Sequence, residues 1–423
     1  MPSPYTVPEA RLTFSPSSKW MPESGLQVPW EASFVRDFVD SLNTQAIVDH
    51  ANRLRGRTDA TIRKDVFARG QENVVLEISF NDEEYWVARV QLPAKRPAPP
   101  YKYIHFHSNK MSAELVSEVQ TMNHIRERTN IPIPTVYGFC THEDNTVGAN
   151  YILMSAVEGD LHFILPKVPD KYKEYVFEQY AHMVLDMSAL QFPKIGLVTA
   201  TEEGDLIVNS SILEEFYRFP AFDTAQEYYT NRAKHILRLR VKEDDEDKIT
   251  WAWLCLEAIP HFLQPQFQPS IHHDASSPVC PRLKGFPLVH RDLNNCNILY
   301  NDNFKIVGVI DWTAVSTLPW ESFLLPPCDF PCMVVFQEER ALYIDVFERV
   351  EKERNGKVLF AEYMRSKAAR IAEMVNKYVY SFPKPYAERL TQLLYGDDMT
   401  WEQVKEKCRE WLKSHPLEMT TSR

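Results

Sequence analysis

Two hydrophobic periods alternate along the chain and lay out its elements. After Trp30, apolar residues recur at helical spacing over roughly Glu31 to Leu42 and again over Thr44 to Leu54. The period then shortens. IRKDVFARG (Ile62 to Gly70), VVLEISF (Val74 to Phe80) and EYWVARVQL (Glu84 to Leu92) are rich in β-branched and aromatic residues, and the turn chemistry of GQEN and ND separates them. They predict a three-stranded antiparallel meander. Past a Pro-rich connector at 93–100, Leu115, Val119, Met122 and Ile125 return to helical spacing, so SAELVSEVQTMNHIRERTN predicts an amphipathic helix with one buried stripe. IPIPTVYGF and ANYILMSAVEGDL predict two further strands, the second ending at Glu158-Gly159-Asp160, a natural hinge.

Beyond residue 160 the pattern is mostly helical: Asp170 to Gln191, Thr224 to Leu239 and Thr250 to Leu263, with the acidic run VKEDDEDK expected as a solvated loop between the last two. The one clear strand signal in this half is LVHRDLNNCNILYNDNFKIVGVIDW, Leu288 to Trp312, where NILY and KIVGVIDW flank Asn301-Asp302-Asn303 and predict a hairpin. The last helix opens on Thr400-Trp401-Glu402-Gln403, a capping-box spacing that puts Val404, Cys408 and Trp411 on one face. The order predicts an α+β chain. It begins with an irregular arm and helices (1–60), continues with a small N-terminal lobe of five strands and one helix (61–157), and ends in a large, mostly helical C-terminal lobe (158–423).

Composition narrows the function classes. Apolar residues make up 44% and charged residues 25%, a globular balance, and no apolar run reaches the roughly 18 residues needed to span a bilayer. A net charge of −11 argues against nucleic acid or an anionic membrane as partner, since both need a basic footprint. It leaves nucleotides open, because a few fixed cations and a bound metal neutralise a triphosphate locally. MPSPYTVPEARLTF lacks a basic segment followed by an apolar one, and the seven cysteines form no CxxC pair, so an intracellular, cytoplasmic chain with reduced thiols is expected.

The stretch His290-x-Asp292-x4-Asn297, followed by Asp311, carries the candidate chemistry. Phosphoryl transfer asks little covalent help of a protein. It needs a group that orients the acceptor hydroxyl, and metal ions that bridge the phosphates. Asp292, on a loop, can accept the acceptor's proton; Asn297 and Asp311 offer hard oxygen ligands to one Mg²⁺. An antiparallel hairpin returns the chain to its starting end, so these two can be neighbours. His290 would steady the loop. In the meander, Arg89 is a fixed cation among apolar neighbours, able to pair with Glu118 on the following helix and so be held towards the nucleotide phosphates, although Glu114 lies one turn earlier on that helix. Gly70, in GQEN, would cover the phosphates with backbone N–H groups.

HRDLNNCNIL with VIDW, ILMSAVEG, VARVQLP and SEVQTMNHIRERTNIPIPTVYGF together resemble the aminoglycoside phosphotransferase and choline kinase-like family, and FPKIGLV and EYYTNR resemble its fungal branch. The resemblance spans about Lys64 to Phe323. It implies a bilobal protein-kinase-like fold and an ATP- and Mg²⁺-dependent kinase acting on a small-molecule hydroxyl. Within that pattern Asp292 is the catalytic base and Asn297 and Asp311 are the magnesium ligands. Arg89 stands in the place of a phosphate-binding Lys with Glu118 as partner, and Met154, Ala156 and Val157 belong to the adenine-binding hinge. Arg291 and Asn294 stand where the family commonly has Gly and His, and the phosphate turn carries a single glycine.

Other readings stay in view. A lone Asp or Asn in a loop is usually a turn or cap residue. HRDL alone would suit a protein kinase, but Asp-Trp replaces DFG and there is no APE. The sparse phosphate turn would suit a non-catalytic nucleotide-binding protein. His272-His273-Asp274 sits in a Pro- and Ser-rich stretch and reads as a solvated loop, and the aromatics of Glu214 to Arg232 read as helix packing or as a pocket lining.

Overall fold

In chain order, the computed structural model begins with helices α1 (Pro29–Ser41) and α2 (Thr44–Arg55), followed by strands β1 (Thr61–Arg69), β2 (Asn73–Ser79) and β3 (Tyr85–Gln91). Helix α3 (Ser108–Arg128) leads to β4 (Val136–Cys140), β5 (Tyr151–Ser155) and the short β6 (Asp160–Leu161). Then come α4 (Asp170–Ala189), β7 (Gln191–Phe192), β8 (Gly196–Ala200), β9 (Leu206–Leu213), β10 (Tyr217–Pro220), α5 (Ala225–Glu243) and α6 (Glu246–Phe262). Strands β11 (Phe286–Val289), β12 (Ile298–Tyr300), β13 (Ile306–Val309) and β14 (Ser316–Thr317) precede α7 (Trp320–Phe323). The chain closes with α8 (Gln337–Asn355), α9 (Phe360–Arg365), α10 (Lys367–Lys377), α11 (Lys384–Tyr395) and α12 (Trp401–Ser414). The structure describes residues 29–70, 72–93, 108–141, 145–161, 168–213, 217–267, 283–293, 297–313, 315–325, 337–377 and 384–415. The N-terminal arm before residue 29, His272 to Asp274 and Asn294 lie outside them.

The fold divides into two compact units: residues 1–179, 198–207 and 292–315 form the first, and 180–197, 208–291 and 316–423 the second. In the first, the expected five-stranded antiparallel sheet forms with the order β1-β2-β3-β5-β4. Side chains alternate across it. Val74, Leu76 and Ile78 of β2, Trp86, Ala88 and Val90 of β3, and Tyr151 and Leu153 of β5 all pack into one core with Val35, Val39, Ile47 and Ala51 of α1 and α2. A period of two then puts Arg89 on the opposite face, away from those helices. The register of β1 slips between Ile62 and Phe67. Within that bulge, Lys64 Nζ donates to the carbonyls of Asp40 (3.0 Å) and Leu42 (2.6 Å), satisfying acceptors at the end of α1. Along α3, Leu115, Val119, Met122 and Ile125 are all buried, as the periodicity predicts.

The hairpin β12–β13 joins β6 in a three-stranded sheet of the same unit. Its turn is held by the Asn301 side chain, which accepts from the N–H groups of Asn303 and Lys305 (both 3.0 Å). Phe304 follows in the left-handed region, at φ 60°.

The second unit is mostly helical, and beyond residue 160 the strand content of the chain exceeds the expectation of one hairpin. Strands β10-β9-β8-β14-β11-β7 form a six-stranded sheet. Its pairings are short, two residues each for β11 with β7, β11 with β14 and β14 with β8. The acidic VKEDDEDK is likewise no loop. Helix α5 runs to Glu243, Asp244 adopts φ 55°, and Asp245 caps α6 by accepting from Lys248 N–H, so two residues make the whole turn. Helix α6 is the centre of this unit, with Trp251, Ala252, Trp253, Leu254, Cys255, Ala258, Ile259 and Phe262 all buried against α5, α10, α11 and α12. The capping box of α12 forms between Thr400 and Gln403, and Val404 and Cys408 face the core.

Candidate active site

Arg89 lies in the middle of β3, with Ala88 and Val90 fully buried on either side, paired with Val75 of β2 and Ile152 of β5. Three strands therefore fix its backbone. Its Nη2 donates a hydrogen bond to Glu118 Oε2 from α3, and its Nη1 lies 3.7 Å from Asp311 Oδ1. Both members of the first pair are withdrawn from water, with side chains 12% and 3% exposed. Burial alone would lower the guanidinium pKa. The charge and hydrogen bond of Glu118 outweigh it, and with Asp311 and Glu72 adding to them the pKa is raised, so Arg89 is a permanent cation. Between Glu114 and Glu118, the geometry selects Glu118.

Asp311 follows β13, whose end is pinned by two backbone bonds: Val309 N–H to the Pro132 carbonyl (2.7 Å) and Ile310 N–H to the Asn297 carbonyl (2.9 Å). The second bond brings Asn297 and the Asp311 segment side by side, as the hairpin argument predicts. Asp311 is in the left-handed region at φ 61°, a conformation that Asp tolerates better than most residues. Its Oδ1 accepts from Thr313 Oγ1 at 2.9 Å. Trp312, between them, is 1% exposed and donates from Nε1 to the Val309 carbonyl at 3.0 Å. Asn297 is buried and donates from Nδ2 to Asp292 twice, to the carbonyl at 2.7 Å and to Oδ2 at 2.9 Å. Asp292 itself is exposed. His290, at the end of β11, is buried.

The remaining sequence-predicted residues frame the same unit. Gly70 N–H donates to the Asn73 carbonyl (2.9 Å), and the Glu72 carbonyl accepts from Leu92 N–H (2.8 Å). Met154 is buried in β5 opposite Val87 and Val136. Ala156 N–H donates to the Tyr85 carbonyl at 3.1 Å. Val157 packs on Gly308 so closely that a Cβ there would stand 2.7 Å from Val157 Cγ1; glycine in β13 lets the two segments touch. A cleft of about 540 Å³ elsewhere in this unit, walled by Ala46, His50, Arg53, Phe139 and Tyr151 among others, includes none of these residues.

The donor set suits Mg²⁺. The Asp311 carboxylate and the Asn297 amide carbonyl are hard oxygens, and Mg²⁺ ordinarily takes one or two such groups together with phosphates and water. Among the described residues no three His, Cys, Asp or Glu side chains gather into a group that could hold a metal ion. Glu118 Oε1 and Arg89 Nε are buried without a hydrogen-bond partner, which leaves polar capacity beside the pair. Thr313 and Glu72 were not singled out from the sequence. A hydroxyl two residues after an Asp is the signal for the first, but that spacing is common; nothing local marks the second.

A model of the phosphotransferase enzyme family matches residues 66–319, more than half of the chain, from the second half of β1 to just past β14. The chain belongs to that family. It is 24% identical over 262 residues to clavilactone A biosynthesis cluster protein Y of Ampulloclitocybe clavipes, covering 58% of this chain and 59% of that protein. It is also 30% identical over 151 residues to a subtelomeric hrmA-associated cluster protein of Aspergillus fumigatus, covering 35% of this chain. The chain thus spans 59% and 27% of the lengths of these two relatives. Among solved structures, a thermostable mutant of aminoglycoside phosphotransferase APH(4)-Ia, in ternary complex with AMP-PNP and hygromycin B, is similar at 14% identity. The overlap covers 87% of this chain and 98% of that one, with a TM-score of 0.44. As a phosphotransferase-family member the protein shows the five-stranded antiparallel sheet with its helix, and a second, mostly helical unit. Among the described residues no helix is long and apolar enough to cross a membrane.

Proposed function

We propose that this phosphotransferase-family protein uses ATP and Mg²⁺ to phosphorylate a hydroxyl group on a small molecule, with Asp292 as catalytic base. The observation that carries the reading is Arg89, a buried cation held between Glu118 and Asp311 in the unit where Asn297 also holds Asp292. A fixed cation, a metal-capable carboxylate and a steadied base are what transfer of a phosphoryl group requires.

Each residue then has a task. Asp292, its Oδ2 tied to Asn297, orients the acceptor hydroxyl and takes its proton. Asn297 and Asp311 hold Mg²⁺, which when bound neutralises charge on the phosphates. Arg89 offers its charge to the phosphates while Glu118 keeps it in place, and the Gly70 turn covers them. Met154, Ala156 and Val157 form the wall for the adenine, with the Ala156 N–H already donated to the Tyr85 carbonyl. Residues 61–157 carry the nucleotide-binding elements and 158–423 the catalytic loop and acceptor pocket. A relative named for a biosynthesis cluster favours a low-molecular-mass acceptor, and the reading places the protein in the cytoplasm, without nucleic acid or membrane as partner.

ATP consumption across a library of hydroxylated metabolites tests this, with mass spectrometry showing one added phosphoryl group on the acceptor. A second reading, nucleotide binding without transfer, is favoured by the Gly70 N–H being already donated to the Asn73 carbonyl. It predicts Mg²⁺-dependent thermal stabilisation by ATP with no phosphorylated product from any acceptor.

A further inference from the structure

We infer that Thr313 is a positioning residue that reserves Asp311 Oδ2 for the metal, so that Asp311 binds through one oxygen. The inference rests on the reading above, in which Asp311 is a magnesium ligand. The two carboxylate oxygens are not equivalent. Oδ1 accepts the Thr313 hydroxyl at 2.9 Å and is the oxygen that faces Arg89 Nη1 at 3.7 Å. Among the described residues Oδ2 has no such partner. Thr313 cannot drift from its post, because Trp312 is clamped by burial and by its bond to the Val309 carbonyl.

The alternative for the carboxylate is close by. A guanidinium prefers to bind a carboxylate through both oxygens at once. Asp311 is 45% exposed on its side chain and so has room to rotate. With the Thr313 hydroxyl gone, it can turn both oxygens towards Arg89 and close the metal position. Thr313 thereby decides whether Asp311 serves the metal or the cation. Removing a group that orients a metal ligand usually costs roughly 10- to 100-fold in metal affinity.

The test is calorimetric titration of ATP into the full chain at a series of MgCl₂ concentrations, for the parent, Thr313→Val, Thr313→Ser and Asp311→Asn, with thermal melts to confirm folding. Thr313→Val is expected to raise the Mg²⁺ concentration for half-maximal ATP binding by roughly ten-fold or more. Thr313→Ser should remain near the parent. If Thr313→Val and the parent share one Mg²⁺ dependence while Asp311→Asn loses it, the role of Thr313 is overturned and the metal reading stands. If Thr313→Val fails to fold, Thr313→Ala takes its place with the same two outcomes, and a ten-fold loss in Thr313→Ser also overturns the role, since serine keeps the hydroxyl. If Asp311→Asn keeps the parent's Mg²⁺ dependence, the underlying reading falls with it.

Discussion

Nη1 of Arg89 stands 3.7 Å from Oδ1 of Asp311, so a guanidinium on a central strand and a carboxylate just past a distant hairpin share one charge balance. Glu118 completes it from the other side. The balance makes the strand, the helix and the hairpin interdependent, and it has consequences for stability as well as for chemistry.

Glu118→Ala removes the closest anion and leaves Arg89 buried with only the more distant carboxylates of Asp311 and Glu72. Breaking a buried pair from one side ordinarily costs about 3 to 5 kcal/mol. Because Asp311 remains, the expected loss is about 3 kcal/mol, read as a lowered urea midpoint at unchanged slope. A parent-like midpoint would show that the Arg89 charge is carried elsewhere.

Glu321 makes stability depend on pH. It is fully buried in α7, and burial pushes its carboxyl up to about 7, with the hydrogen bond from Gln264 N–H acting in the other direction. The folded state favours the protonated form. The contribution is therefore complete below the ordinary carboxyl value of 4.5 and is lost as pH rises to about 7. A gap of that size amounts to roughly 3 kcal/mol. Glu321→Gln keeps the shape and removes the titration, so urea midpoints of the variant should vary less over that window than those of the parent. Parallel profiles would contradict a buried, neutral Glu321.

Two glycines should respond unequally to the same change. A Cβ on Gly285 would stand 2.3 Å from the Phe192 carbonyl oxygen, which is backbone beside the β7–β11 pairing, so Gly285→Ala is expected to cost about 3 kcal/mol or more. A Cβ on Gly138 would meet Leu54 Cδ1 at 2.8 Å, the tip of a side chain 44% exposed and free to move. Gly138→Ala should cost about 1 kcal/mol or less. Chemical denaturation of both variants compares them directly, and equal losses would contradict the backbone contact.

Legibility in the sequence follows how many consecutive residues carry each signal. Strands β1 to β3 run seven to nine residues, long enough for a period of two to show, and α3 displays its stripe over three turns. The β7, β11 and β14 pairings take two residues each and join segments far apart in the chain, so no local period marks them. VKEDDEDK misled because seven charges in a row look solvated. Yet Asp244 supplies the left-handed turn and Asp245 the cap, which are local tasks that Asp performs well. At the site, the Asp292 to Asp311 spacing pointed to the hairpin, and Arg89 stood out as a cation among apolar neighbours. The choice of Glu118 over Glu114 needed the helix phase relative to the sheet, and the hydroxyl of Thr313 needed the turn after β13 to be seen.

The central claim is tested most directly by phosphoryl transfer from MgATP to a small-molecule acceptor, compared between the parent and Asp292→Asn. The account predicts a phosphorylated acceptor from the parent, a drop of roughly 100-fold or more in turnover for Asp292→Asn, and MgATP affinity within a few fold of the parent. Turnover of Asp292→Asn within a few fold of the parent would contradict it.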